Sequence, residues 1–111
     1  MKSDFGGHDN MWHGNVLAYV GNCWTVFSFK GYNDGFFENQ CVFRKGYGSD
    51  CKTNAGFVSH DNHVFSKSGT EDVCGMPFKA YQAEGHDKGT TIAAWPSNAA
   101  VVAMGKKVLG M

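Results

Sequence analysis

The chain has 111 residues, the size of a single domain, and this length is enough to bury a hydrophobic core. Its ten basic and ten acidic side chains balance, so no net field would attract nucleic acid or an anionic membrane surface. No apolar run approaches the length needed to span a bilayer. Valines and aromatic residues supply most of the core candidates, and 15 glycines are spread along the chain. This composition favours many short strands joined by tight turns.

The predicted elements, in chain order, begin with an irregular lead-in over residues 1–14, which are polar and broken by glycine. Strands are predicted over 15–20, 23–29, 36–44, 56–60, 64–67, 73–83, 90–95, 99–104 and 107–109. Asp34-Gly35 predicts a hairpin turn before the third of these strands. The alanines of 99–104 would also suit a helical turn, but the valines there favour a strand.

Similar segments recur along the chain and indicate an internal repeat. Ring side chains and glycines coincide when 24–35 is aligned with 78–89. An asparagine, apolar residues and a glycine coincide when 62–69 is aligned with 98–105. The alignment predicts two related β-units, residues 24–69 and 73–105, within one domain over 15–111. No low-complexity linker separates the units, so we expect them to share one interface.

Each predicted unit carries a turn pattern of two ring side chains followed by a glycine. The pattern is Phe27, Tyr32 and Gly35 in the first unit, and Tyr81, His86 and Gly89 in the second. Two such units resemble the βγ-crystallin arrangement, although in that family the glycine stands one residue earlier. The resemblance implies four-stranded Greek-key units packed as one compact all-β sandwich. Small disulfide-bonded microbial killer toxins and antifungal proteins share this arrangement.

The same resemblance implies a calcium site. Asp61-Asn62 followed by Ser66 is similar to the family's acidic-or-amide pair and its hydroxyl ligand, although Phe65 stands where the family has the hydroxyl residue. Asp61 and Ser66 are therefore the candidate ligands. The matching segment of the second unit, around 97–102, lacks the hydroxyl. At most one weak calcium site is therefore expected, and no other cofactor.

Four cysteines bear on the compartment and on stability: Cys23, Cys41, Cys51 and Cys74. None forms a CxxC pair, and an even count in a short chain favours two disulfides in an oxidising environment. No leader stands at Met1, which fits an intracellular protein or a mature chain whose leader was removed, and the cysteines favour the mature secreted chain. Three pairings are possible; Cys41–Cys51 and Cys23–Cys74 are favoured, the first closing a short loop and the second joining the units.

The predicted function is that of a secreted, non-enzymatic toxin or effector that binds a protein or carbohydrate target on another cell, as a monomer. Neighbouring strand residues point to opposite sides of a sheet, so Phe36 and Phe37 cannot both face a core. One exposed phenylalanine, with rings and an imidazole on nearby turns, would suit target binding. The candidate binding residues are Tyr32, Phe36, Tyr47 and His86.

Two alternative functions stay open at this point. A secreted ribonuclease or other hydrolase would use imidazoles that titrate near neutrality, with His60, His63 and Glu84 as the acid–base cluster and Arg44 for the phosphate. A calcium- or carbohydrate-binding protein would use Asp61 and the exposed rings. The sequence shows no nucleophile elbow, phosphate-binding glycine loop or HExxH motif.

Overall fold

The structure is a computed structural model that describes residues 2–3, 8–26, 32–48 and 56–111. The strands of the described part are β1 (Lys2–Ser3), β2 (Met11–His13), β3 (Val16–Val26), β4 (Gly35–Phe37), β5 (Gln40–Gly48), β6 (Val58–His60), β7 (His63–Ser66), β8 (Asp72–Val73), β9 (Met76–Pro77) and β10 (Thr91–Ala94). Two helices accompany them, α1 (Phe78–Ala83) and α2 (Asn98–Val108).

The chain winds as a solenoid in which successive coils add strands to the same two parallel sheets. The larger sheet has the order β1-β3-β5-β7-β10, and the smaller sheet has the order β2-β4-β6. Every pairing within these two sheets is parallel. Each coil therefore stacks on the one before it, and contacts form mainly between neighbouring coils. The strand-rich architecture is confirmed, but the Greek-key sandwich is not the arrangement found.

A column of three asparagine side chains and one threonine, at equivalent corners of the coils, sets the register. Its members Asn15, Asn39, Asn62 and Thr90 are separated by 24, 23 and 28 residues. Asn15 donates both its backbone N–H and its Nδ2 to the Asn39 side-chain oxygen, at 2.9 and 3.1 Å. The Asn39 N–H donates in turn to Asn62 Oδ1 at 2.9 Å, and the Asn62 N–H donates to Thr90 Oγ1 at 3.1 Å. We call this column the amide ladder.

The residue before each ladder position has a left-handed backbone, which turns the chain from the smaller sheet into the larger one. These residues are Gly14, Glu38, Asp61 and Gly89, with φ values of 68°, 54°, 52° and 75°. Such φ values cost little for glycine and are uncommon for other residues, apart from Asn and Asp. The ladder bonds offset that cost at Glu38, where an ordinary side chain adopts the same conformation.

The interior of the coils is filled by rings and valines. Trp24, Phe36, Phe43, Tyr47 and Val64 are buried in one cluster. The rings of Trp24 and Tyr47 meet edge to face with centroids 5.7 Å apart, an arrangement that suits their quadrupoles. Valines and aromatics were the predicted core residues, and that prediction is confirmed.

A disulfide joins two neighbouring coils through the core. Cys23 on β3 bonds Cys41 on β5, and both residues are fully buried. The favoured pairings Cys41–Cys51 and Cys23–Cys74 are both wrong, because adjacent parallel strands bring Cys23 and Cys41 together. Cys74 is not a free thiol, and Cys51 lies outside the described residues.

Several predicted elements differ from the structure. Gly35 begins a strand that pairs in parallel with β2 and β6, so Asp34-Gly35 is not a hairpin turn. The predicted lead-in contains β1 and β2. The strands predicted over 73–83, 99–104 and 107–109 are largely the helices α1 and α2. Ser97 caps α2 by accepting the Ala100 N–H at 3.1 Å. The ladder asparagines recur at spacings of 24 and 23 residues, a period that was not predicted from the sequence.

Helix α2 contacts the larger sheet through β3. Val101 is the buried residue of α2. Just before the helix, Trp95 donates its indole N–H to the Phe43 carbonyl at 2.9 Å and meets the Tyr19 ring edge to face. The Tyr19 hydroxyl donates to the Asn98 side chain. Within the described residues, no helix is long and apolar enough to span a bilayer.

Candidate functional site: an exposed face of rings and an adjoining cavity

The outer side of the smaller sheet follows the alternation of its strands. In β4, Phe36 points into the solenoid and is fully buried, while Phe37 points outward and is half-buried. The expectation that one of the two phenylalanines lies outside is confirmed. The choice of Phe36 as the exposed one is wrong, because Phe36 is fully buried and lies among Tyr47 and the other core side chains.

Outward-facing rings stack from coil to coil. The Phe37 ring lies between two imidazoles, with centroids 5.0 Å from His13 and 4.9 Å from His60, and with planes within 3° in both pairs. A second stack joins His8 and Tyr32 at 4.7 Å. These spacings match the roughly 4.7–4.9 Å separation of strands in a sheet, so the backbone register itself brings the rings together.

Apolar side chains complete this surface. Met11 is 56% exposed, Val58 53% and Tyr32 44%. Gly35 stands between Met11 and Val58 in register, and a Cβ there would lie 2.7 Å from Met11 Sδ. The missing side chain thus lets methionine lie across the middle coil. We call this surface the ring face and define it by His8, Met11, His13, Tyr32, Phe37, Val58 and His60.

Two carboxylates flank the ring face at its corners. Asp9 Oδ2 lies 2.9 Å from His8 Nδ1, and Asp61 Oδ2 lies 2.7 Å from His60 Nδ1. Asp61, a predicted calcium ligand, therefore makes its short contact with an imidazole. The rim of the face is polar while its centre is apolar, as in many binding surfaces.

Ser66, the other predicted calcium ligand, uses its hydroxyl for hydrogen bonds within a local turn. Ser66 Oγ donates to the Thr70 carbonyl at 2.7 Å and accepts the Gly69 N–H at 2.9 Å. No hydrogen bond among the described residues joins Ser66 to Asp61. Over the same part of the chain, no group of three or more His, Cys, Asp or Glu side chains could hold a metal ion.

The predicted hydrolase residues lie in different surroundings. His60 belongs to the ring face, whereas His63 Nδ1 contacts Thr91 Oγ1 at 2.8 Å across β7 and β10. Glu84 lies beside His86, with Oε2 and Nε2 4.0 Å apart. Among the described residues no hydrogen bond or ion pair joins any two of His60, His63 and Glu84. The Arg44 guanidinium lies 6.0 Å from the centre of the Tyr19 ring.

Of the predicted target-binding residues, two are exposed and two are not. Tyr32 lies on the ring face, and His86 is exposed and stacks on Tyr81 with centroids 4.5 Å apart. Phe36 and Tyr47 are fully buried, so their assignment to target binding is wrong. Phe27, part of the turn pattern used for the family resemblance, lies outside the described residues.

A cavity of about 310 Å³ opens next to the ring face, where β6 meets α1 and the turn after it. Phe57, Val58 and Met76 form an apolar part of its lining. Ser59, Tyr81, Glu84, His86 and Asp87 contribute the polar groups. The volume falls in the range of small-molecule pockets.

Asp87 is the most unusual group in this cavity because it is a buried carboxylate, only 3% exposed. Its Oδ1 accepts hydroxyl donors from Tyr47 at 2.7 Å, Ser59 at 2.8 Å and Thr90 at 2.9 Å. Its Oδ2 is buried and has no hydrogen-bond partner in the described part of the molecule. A carboxylate oxygen left in this state is costly, so it calls for an explanation beyond packing.

The two phenols near Asp87 remain protonated at neutral pH. Burial raises the pKa of Tyr47 well above its usual value, and the negative charge of Asp87 adds to that effect. Burial, and then the Asp87 charge, raise the pKa of Tyr81 to about 12. Both phenols therefore act as neutral groups, and the negative charge in this region belongs to the carboxylates.

Sequence reasoning missed both the amide ladder and Asp87. The ladder has a sequence signal, since Asn15, Asn39 and Asn62 recur at nearly equal spacing. Asp87 has none, because two of the three hydroxyls that surround it, those of Tyr47 and Ser59, come from distant parts of the chain.

In comparisons with known proteins, no family model, no curated protein and no solved structure matches the chain. The resemblance to βγ-crystallins therefore stays a prediction that no match tests. The arguments below rest on the geometry of the ring face and the cavity.

Proposed function

We propose that the protein is a non-enzymatic binding module that contacts its target through the ring face. The observation that carries this proposal is the exposure of Met11, Val58 and Tyr32 beside two stacks of rings on one open sheet. A contiguous exposed apolar surface of this kind commonly marks an interaction site.

The scaffold supports this role because it holds the ring face rigid. Phe37 is fixed between the rings of His13 and His60, and the sheet that carries it is backed by the amide ladder. A preordered surface loses little conformational entropy when a partner binds, which favours affinity.

The stacking favours a protein partner over a sugar. Both faces of the Phe37 ring are covered by imidazoles, so this ring presents its edge to the outside. A sugar ring would need a free aromatic face, whereas a protein interface accommodates edges together with methionine and valine. Aromatic residues and methionine are enriched at the centres of protein interfaces.

The buried Cys23–Cys41 disulfide supports an oxidising compartment and hence secretion. A toxin or effector role toward another cell is consistent with secretion and with a protein target. No contact in the described residues favours the hydrolase or the calcium-binding alternative.

Two valines of nearly equal exposure provide the test. Val58 on the ring face is 53% exposed, and Val102 on α2 is 56% exposed. Labelled protein is applied to a panel of microbial, plant and animal cells, and bound protein is quantified by flow cytometry. Val58→Glu should weaken binding at least about fivefold, the loss expected when a charge enters an interface centre. Val102→Glu should leave binding unchanged.

Photo-crosslinking from the same two positions identifies the class of target. A crosslinker at position 58 should capture a protease-sensitive partner on the cells that bind, and one at position 102 should not. Equal effects of the two glutamate variants, or a captured species that survives protease but not glycosidase, would contradict the proposal. Failure of the wild-type protein to bind any cell in the panel would contradict the extracellular role.

A further inference from the structure

The cavity beside the ring face has a distinct chemistry that target binding does not use. Its charged lining consists of Glu84 and Asp87, while no Lys or Arg among the described residues lines it. His86 is stacked on Tyr81 and lies 4.0 Å from Glu84. The cavity therefore has a negative potential when the imidazole is neutral, and a cation is the ligand that it would favour.

Asp87 gives the cavity a specific anchor. Its Oδ1 is saturated by three hydroxyl donors, whereas its Oδ2 has none. The hydroxyls therefore orient the carboxylate through Oδ1 but leave Oδ2 without a hydrogen bond. An N–H donor that carries positive charge would satisfy Oδ2 and balance the buried charge together.

The remaining lining indicates what accompanies that charge. Phe57, Val58 and Met76 offer apolar surface of the kind that accepts an alkyl chain. A volume of about 310 Å³ corresponds to about ten water molecules. This is too small for a folded element of a partner and large enough for a short alkyl chain.

We propose that this cavity binds a primary alkylammonium group, with the ammonium at Asp87 and the alkyl chain against Val58 and Met76. The same group occurs in free small amines and at the end of a lysine side chain. The proposal does not depend on a protein target at the ring face, because it rests on the cavity alone.

A matched set of three small molecules tests the proposal on the unmodified protein. The probes are n-butylammonium, n-butanol and butyrate, which share a chain and differ in charge. Binding is followed by two-dimensional NMR at the amides of Ser59, Tyr81 and Asp87. We expect n-butylammonium to give saturable shifts with a Kd of about 1 mM, which is typical for so small a ligand. We expect n-butanol to bind at least about tenfold more weakly, and butyrate to give no saturable shift.

A second arm distinguishes the two sources of the ammonium. Nα-Acetyl-lysine amide, in which the backbone is capped and the side-chain ammonium is free, carries the same group. Binding comparable to that of n-butylammonium would assign the cavity to a lysine side chain, and rejection of the capped residue would assign it to a free amine. Equal binding of n-butylammonium and n-butanol, or no saturable shift with either, would overturn the proposal.

Variants locate the binding groups. Asp87→Asn keeps the shape of the side chain and removes its charge, so n-butylammonium binding should fall at least about tenfold. Because Asp87 also organises three hydroxyls, Glu84→Gln is the companion variant: its side chain is 59% exposed and its loss should not disturb the core. It should weaken binding by a few-fold, whereas Glu38→Gln, an exposed carboxylate outside the cavity, should not. A folded Asp87→Asn variant with unchanged affinity would overturn the assignment.

Discussion

The amide ladder makes a quantitative prediction at Asn62, which is fully buried. Its Oδ1 accepts the Asn39 N–H at 2.9 Å, and its Nδ2 donates to the Phe36 carbonyl and to Ser59 Oγ, both at 3.1 Å. Asn62→Ala would leave the Asn39 N–H and the Phe36 carbonyl without partners in the interior. Each buried orphan of this kind costs about 1–3 kcal/mol, so we expect the free energy of unfolding to fall by about 3–5 kcal/mol.

The measurement is urea denaturation followed by tryptophan fluorescence, with Asn15→Ala as the matched control. Asn15 stands at the exposed end of the ladder, and its side chain makes one bond, from Nδ2 to Asn39 Oδ1. Water can replace that bond, so the control should lose about 1 kcal/mol or less. Equal losses in the two variants would refute the view that the ladder is an internal hydrogen-bonding column whose inner members matter most.

Two further predictions concern backbone packing and ionisation. A Cβ at Gly48 would overlap the buried Trp24 ring, so Gly48→Ala should lower the free energy of unfolding by about 1–3 kcal/mol in the same urea assay. A Cβ at the exposed Gly21 would meet only an ordinary contact, so the control Gly21→Ala should change it by no more than about 0.5 kcal/mol. Above pH 10, the unfolded chain ionises its phenols while burial keeps Tyr47 and Tyr81 protonated in the folded protein. The free energy of unfolding should therefore fall by about 1.4 kcal/mol per pH unit for each of these tyrosines, until folded Tyr81 ionises near pH 12. Tyr47→Phe and Tyr81→Phe should each reduce the dependence of the free energy of unfolding on pH by about 1.4 kcal/mol per pH unit. An unchanged dependence in either variant would contradict the prediction.

The sequence predicts the type of secondary structure better than its arrangement. Valines, aromatics and glycines correctly indicate short strands, and Asn33 does turn the chain, with φ of 57°. Local turn chemistry cannot tell a hairpin from a solenoid corner, because both use the left-handed conformation. What separates them is whether the next strand pairs immediately or a whole coil later. The spacing from Asn15 to Asn39 and Asn62 carries that information, whereas the coincidence of rings and glycines points to a different register.

The candidate site shows the same limit at finer scale. Alternation in β4 predicts that one of Phe36 and Phe37 faces outward, but the choice depends on which column each joins in the neighbouring coils. His13 and His60 flank Phe37 in register, while Trp12 stands beside Phe36. Which side chains of a solenoid strand face outward is therefore decided by three neighbouring coils together, and the sequence of a single strand does not determine it.

The interior column of the smaller sheet changes character along the solenoid, and this change argues for a function in the last coil. In register, Ser59 of the third coil stands beside Phe36, which is fully buried, and Phe36 stands beside Trp12 of the first coil, which is 41% exposed. Ser59 then contacts Asp87, a buried carboxylate, where another apolar side chain would pack without loss of hydration. Replacing rings by a hydroxyl and a charge lowers the stability that the stack could reach. A local departure from an otherwise consistent core is expected at binding sites rather than at structural positions. The outward side chains of the same strand belong to the ring face, and Val58 also lines the cavity, so the proposed ammonium cavity and the proposed target surface adjoin at β6.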